Sequence, residues 1–255
     1  MKITFIGTGS GKTSLTRNHS SVFVEYGKSN LLLDTGDGIS HALLRQNISF
    51  NHIKNILITH LHPDHFSGLF SLLIQMKLSG RKTPLTIYID KKLKNTLENL
   101  LTTIYLFREK MRFQLSVIPT SAKKEFSISP GFFINTFHNS HIIREKYPKK
   151  YSKVSFVSNS ILLTVGKKRI VYTSDIGKVE DVMIPELKSP DILISETTHI
   201  STSDLENIFT YLNPGKIYLT HISDEDFPVL HKWQMSLSEE EKKSMKFAEE
   251  GMIIK

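Results

Sequence analysis

No cysteine occurs in the 255 residues. Disulfides and thiolate metal sites are therefore excluded, and the chain fits an intracellular enzyme. No uninterrupted apolar stretch of about 18 residues exists either, so no membrane span is expected. The opening MKITFIGTG runs directly into a strand and lacks the long apolar core of a signal peptide, which sets a cytoplasmic expectation. Tandem repeats, low-complexity tracts and linkers are missing as well. With 39% hydrophobic residues the chain can bury a full core, and a single domain over residues 1–255 is expected.

Acidic residues are outnumbered, 25 against 33 Lys and Arg, for a formal charge of +8. Such a balance points mildly to a polyanionic partner such as RNA. A Lys-rich surface without any such partner gives the same number.

A nucleotide-binding loop is missing too, although Gly7–Ser14 (GTGSGKTS) imitates one. A phosphate-cradling loop needs Gly, four residues, then Gly-Lys-Ser/Thr. Counting back from Gly11-Lys12-Thr13, the first glycine would have to stand at Ile6. The following TRNHSSVFVEYG alternates like a strand (Val22, Val24, Tyr26) and offers no helix N-terminus for a pyrophosphate.

What is there is an orderly succession of short strands and helices. KITFIG, SVFVEYG, SNLLLDTGDG and NILITH read as strands, and a helix is expected from about Asp64–His65 through FSGLFSLLIQMKL. LTIYID (Leu85–Asp90) precedes an amphipathic helix with Leu93, Leu97, Leu100, Leu101 and Ile104 on one face. FFINTFH, SNSILLTVG, RIVYTSD, DILISE and KIYLTH repeat the rhythm, with a helix near Ser203–Leu212. Strands outnumber helices but helices recur between them, which predicts an α/β protein of two sheets covered by helices.

The chemistry collects at the strand ends. THLHPDH, Thr59 to His65, follows the apolar NILI and supplies three imidazoles and a carboxylate. Imidazole and carboxylate suit zinc and similar first-row metals. His60 and His62, two apart, could grip one ion, and Asp64 with His65 a second. Asp34, Asp175 and His221 each end another apolar run. Alone, each reads as a turn former or cap. Their shared placement suggests one cavity, with Asp175 bridging two ions and His221 completing the second.

Together, His60-x-His62-x-Asp64-His65, Asp34 in LLLDTGDG, Asp175 in VYTSD and His221 in LTHIS resemble the metallo-β-lactamase fold superfamily. The resemblance covers nearly the whole chain. GTGSG with RNHSSVFVEYG, and THLHPDHFSGLFSLL, are similar to its ribonuclease Z-like branch, where the glycines would form a tight strand-to-strand turn near the metals. The resemblance implies an αββα sandwich of two mixed sheets with a dinuclear site, zinc ahead of manganese or iron. It places the first ion on His60, His62 and a third histidine. Counting seven residues from Ile134 gives His141, with His138 as the alternative or a neighbour of the ligand. The second ion falls to Asp64, His65 and His221, Asp175 bridges, and Asp34 orients a histidine through its other ring nitrogen.

His199, 22 residues before His221, resembles a non-ligand catalytic histidine of this branch, with Glu196 three residues earlier in support. Asp64 and His199 are thus the catalytic candidates, His199 by giving a proton to the leaving oxygen or stabilising phosphate charge. The implied reaction is phosphodiester hydrolysis by a hydroxide held between the metals, on RNA or a small or cyclic phosphodiester. An ester, lactone or thioester hydrolase shares the metal core, and a non-catalytic member binding nucleic acid or protein is a third reading. A homodimer is also implied.

The chain departs from the pattern in two places. Only 33 residues separate His141 from Asp175, with no Gly/Pro-rich arm of the kind that grips the transfer-RNA elbow. Ser174 and Ile176 replace the Gly and Thr that commonly flank the bridging Asp. Basic residues in REKYPKKYSK (Arg144–Lys153) and FREKMR sit among aromatics that could stack on bases, and Lys149, Lys150 and Lys153 are candidate phosphate contacts. A solvated loop accounts for them equally simply.

Overall fold

A computed structural model describes residues 1–255, which fold as two compact units. The first unit holds residues 1–7, 15–121 and 249–255, and the second holds 8–14 and 122–248.

In the first unit, β1 (Lys2–Gly7), β2 (Ser21–Tyr26) and β3 (Ser29–Leu33) run antiparallel. From β3 onward the chain switches to parallel crossovers. Helix α1 (Ile39–Arg45) leads to β4 (Asn55–Ile58), α2 (Pro63–Phe66) and α3 (Gly68–Leu78) lead to β5 (Leu85–Asp90), and α4 (Lys94–Thr103) leads to β6 (Leu115–Thr120). All four residues of β4 are buried, which explains why NILI is a continuous apolar run rather than an alternating one. Helix α4 buries Leu97 and Leu101, but Ile104 lies past its end and is 40% exposed, so the apolar face is shorter than its sequence suggests.

The second unit repeats this division of labour. Strands β7 (Phe126–Ser129), β8 (Phe132–His138), β9 (Asn159–Val165) and β10 (Lys168–Tyr172) are antiparallel neighbours. Strands β11 (Ile192–Ser195), β12 (Lys216–Leu219) and β13 (Met245–Phe247) extend the sheet in parallel from β10. Helix α5 (Thr202–Leu212) begins at a reciprocal cap between Ser201 and Asp204 and ends at Asn213 in the left-handed region. Helices α6 (Phe227–Ser236) and α7 (Glu239–Ser244) connect β12 to β13. Ile208 and Leu212 of α5 pack with Val171, Leu193, Ile176 and Val182 in the core of this unit.

The last strand, β14 (Ile253–Ile254), pairs antiparallel with β1, giving the first sheet the order β14-β1-β2-β3-β4-β5-β6. The second sheet runs β13-β12-β11-β10-β9-β8-β7. Each is a mixed sheet of seven strands flanked by helices. No helix is long and apolar enough to cross a membrane.

The glycine-rich segment is not the tight turn expected of it. Residues 8–20 connect β1 to β2, and residues 8–14 belong to the second unit. There Gly9 forms a parallel bridge with Ile222, held by Ile222 N–H to Thr8 O (2.9 Å) and Ser10 N–H to Ile222 O (3.3 Å). Gly9 thus accompanies the chain just past β12, at the residue after His221.

Candidate functional site

Parallel strands expose their unpaired C-terminal ends to whatever the following loops carry, so ligands collect there in α/β sheets. In the first unit two such ends matter. Asp34 follows β3 in the left-handed region at φ 58° and is fully buried. Its carboxylate accepts the backbone N–H of Thr59 (2.8 Å), the Thr59 hydroxyl (2.9 Å) and the Nδ1–H of His65 (2.8 Å). That last bond fixes the ring, and Nε2 of His65 stands 3.4 Å from Asp64 Oδ2.

The turn after β4 carries the histidines. Its rings converge, with His60 centred 4.8 Å from His62 and 4.2 Å from His65. His60 with His62, and Asp64 with His65, each present ligand atoms within 4.8 Å of one another. The loop after β3 clamps this turn from behind: Thr35 N–H bonds His65 O (2.7 Å) and Gly68 N–H bonds Thr35 O (2.9 Å). A Cβ on Gly68 would lie 2.2 Å from Gly36 O, so only glycine permits this approach.

In the second unit Asp175 follows β10, and its two oxygens face different histidines. Oδ1 is 3.3 Å from Nε2 of His221, and Oδ2 is 3.5 Å from Nε2 of His141. Both neighbours of the bend are under backbone constraint, Ser174 at φ 51° and His221 at φ 55°. Left-handed non-glycine residues of this kind cost about 1 kcal/mol or more and concentrate at functional sites. Ser174 takes that conformation without the glycine that would relieve it. Nδ1 of His221 lies 3.2 Å from the Thr198 hydroxyl, which directs Nε2 toward Asp175.

His199 stands beside this group. Its ring is centred 4.5 Å from that of His141 and 5.5 Å from that of His221, and its side chain is 34% exposed. Buried Glu196 organises it. Glu196 Oε2 accepts the Nδ1–H (2.9 Å) and backbone N–H (2.8 Å) of His199 and the N–H of Thr198 (3.0 Å). Its Oε1 accepts the N–H of Ile176, adjacent to Asp175 (2.8 Å). One carboxylate thus ties the His199 loop to the Asp175 loop.

Of the two histidines in TFHNSH, His141 stands next to Asp175. His138 is the exposed last residue of β8, paired in register with Asn159. Lys149, Lys150 and Lys153 are exposed on the connection from His141 to β9, with the Lys150 ammonium 5.0 Å from the Tyr151 ring centroid. Sequence reasoning missed Asn139, whose side chain donates to Asp175 O (2.9 Å), and Asp181, which grips the same two turns. An Asn-Ser pair beside a candidate histidine was the only signal available for either.

The donor set suits a borderline divalent ion, because imidazole and carboxylate meet without any thiolate. The two mixed seven-stranded sheets, with histidines and carboxylates at the ends of their parallel strands, make up a metallo-β-lactamase fold. A family model described as Anti-Pycsar protein Apyc1 matches residues 1–254, and the chain belongs to that family.

Two curated relatives are ribonuclease Z proteins. That of Methanococcus aeolicus is 39% identical over 128 residues, covering 50% of this chain and 39% of that protein. That of Archaeoglobus fulgidus is 28% identical and covers 87% of each. The chain thus aligns with less than half the length of the first. Among solved structures, human tRNase Z, short form, matches with a TM-score of 0.72 at 20% identity, covering 100% and 99% of the two chains. The metallo-β-lactamase fold protein YhfI from Bacillus subtilis gives 0.73 at 19%, covering 99% and 98%. Zinc-bound PqqB from Methylobacterium extorquens gives 0.70 at 13%, covering 100% of both.

Proposed function

We propose that residues 1–255 form one hydrolase domain, a dinuclear metal-dependent phosphodiesterase of the ribonuclease Z-like type acting on RNA or on a small or cyclic phosphodiester. His60, His62 and His141 would hold one ion and Asp64, His65 and His221 the other, with Asp175 shared. The observation that carries this reading is Asp175 itself, whose two carboxylate oxygens address two histidines separately.

When bound, two divalent ions of the zinc type would acidify a water and neutralise charge on the phosphoryl group. The chain's own residues prepare the rest. Asp34 and Thr198 engage Nδ1 of His65 and His221, so that Nε2 would be the ligand atom of each. Glu196 accepts Nδ1–H of His199, so that the ring, when protonated on both nitrogens, would turn Nε2–H toward the departing oxygen and give up that proton. Its partial exposure gives a substrate access, whereas buried His60 and His65 could not serve.

RNA is favoured among substrates by the ribonuclease Z relatives, the charge of +8 and the exposed lysines. The short connection between His141 and Asp175 favours a smaller diester. Purified protein should hydrolyse bis-p-nitrophenyl phosphate faster than p-nitrophenyl phosphate, because a monoester requires additional charge partners. Cleavage of lactones or thioesters far ahead of any diester would replace this reading.

A further inference from the structure

We propose that Asp181 is a positioning residue: one carboxylate oxygen clasps the turn bearing His141 to the turn bearing Asp175 and so sets the spacing of two metal ligands. This inference rests on the dinuclear reading above.

Oδ2 of Asp181 accepts four hydrogen bonds. Two come from the His141 turn, the Ser140 N–H at 3.0 Å and the Ser140 hydroxyl at 2.8 Å. The other two come from the Asp175 turn, the N–H of Gly177 at 2.9 Å and of Lys178 at 3.2 Å. Asp181 closes a short helical turn, Val179–Asp181, and a cap on that turn would need only the second pair. The Ser140 donors exceed what local structure requires.

The contact beneath the clasp is backbone on backbone. A Cβ on Gly177 would meet Ser140 O at 2.4 Å and Ser140 C at 2.5 Å. Asn139 adds a second tie, donating from Nδ2 to Asp175 O (2.9 Å) while its Oδ1 accepts the His141 N–H (3.2 Å). With both turns fixed, Nε2 of His141 comes to 3.5 Å from Asp175 Oδ2. His138, three residues earlier and still in β8, lies outside the clasped turn.

The test is zinc titration of the metal-free full-length chain by calorimetry, with imidazole nitrogen NMR of His141 as a second readout. Wild type should take two zinc ions. Asp181→Ala should weaken the ion that His141 helps to hold about 10–100-fold, the range for partners that orient a ligand, and the other, which shares only Asp175, by clearly less. Gly177→Ala, which forces the turns apart, should do the same. Asp181→Asn keeps an acceptor oxygen and should recover most of the loss. Unchanged zinc affinity in Asp181→Ala, or equal weakening of both ions, would overturn the clasp. If wild type takes no zinc, the dinuclear reading fails by itself. The clasp is then judged on the metal-free spectra: sharp His141 signals that broaden or shift in Asp181→Ala support it, and unchanged signals reject it.

Discussion

Nδ1 of His65 donates to Asp34 Oδ2 at 2.8 Å, and both side chains are fully buried. The pair joins the ends of two adjacent strands, β3 and β4, since the same carboxylate also holds Thr59. Asp34 thereby decides which nitrogen of His65 would meet a metal. Replacing Asp34 by Asn should lower metal affinity about 10–100-fold, measured by competition with a chromogenic chelator. It should also lower the melting temperature of the metal-free protein, because the Thr59 hydrogen bonds weaken with it.

His141 and His138 separate cleanly by position. His141→Ala should lower metal content and diesterase activity together, as it removes a ring that faces Asp175. His138→Ala removes an exposed ring at the end of β8 and should leave metal content unchanged. Elemental analysis of both variants checks this, and the reverse pattern would move the third ligand to His138.

The lysines between His141 and β9 test the RNA version. Neutralising Lys149, Lys150 and Lys153 together should weaken RNA binding and flatten its salt dependence. The slope should fall by up to about two units, at roughly 0.7 per phosphate contact on a single strand. Hydrolysis of bis-p-nitrophenyl phosphate should hardly change. Unchanged RNA affinity would make a small diester the better substrate and leave the charge of +8 without a nucleic-acid role.

Arg81 is a purely structural forecast. Although its residue is only 1% exposed, its guanidinium donates to the carbonyls of Phe50, Ile53, Thr83 and Pro84 at 2.7–2.9 Å. Burial lowers its pKa to about 10, which leaves it charged at neutral pH. Arg81→Met strands four carbonyls and should destabilise the first unit by about 3–5 kcal/mol, at about 1 kcal/mol or more each. Urea denaturation measures this; a loss below about 1 kcal/mol would contradict it.

Much of the site is legible in the sequence because its residues stand at the ends of apolar runs. NILI, RIVY and KIYL announce buried strands, and the polar residue that interrupts each run marks where the strand opens into a loop. What the sequence hides is the polar support between distant residues. Asp181 reaches Ser140 across 41 positions, and Arg81 reaches Phe50 across 31, with no periodicity to betray either. GTGSG misleads for a related reason. Glycines in a row suggest a tight turn, whereas here Gly9 lies in a parallel bridge to Ile222.

Metal stoichiometry of the purified full-length chain addresses the dinuclear proposal most directly. Elemental analysis should find close to two divalent transition-metal ions per chain, falling to about one in His60→Ala or His62→Ala. His221→Ala should lose the other ion, so that combining it with His60→Ala empties the protein. A wild-type chain that carries no metal, even after reconstitution, would contradict the account.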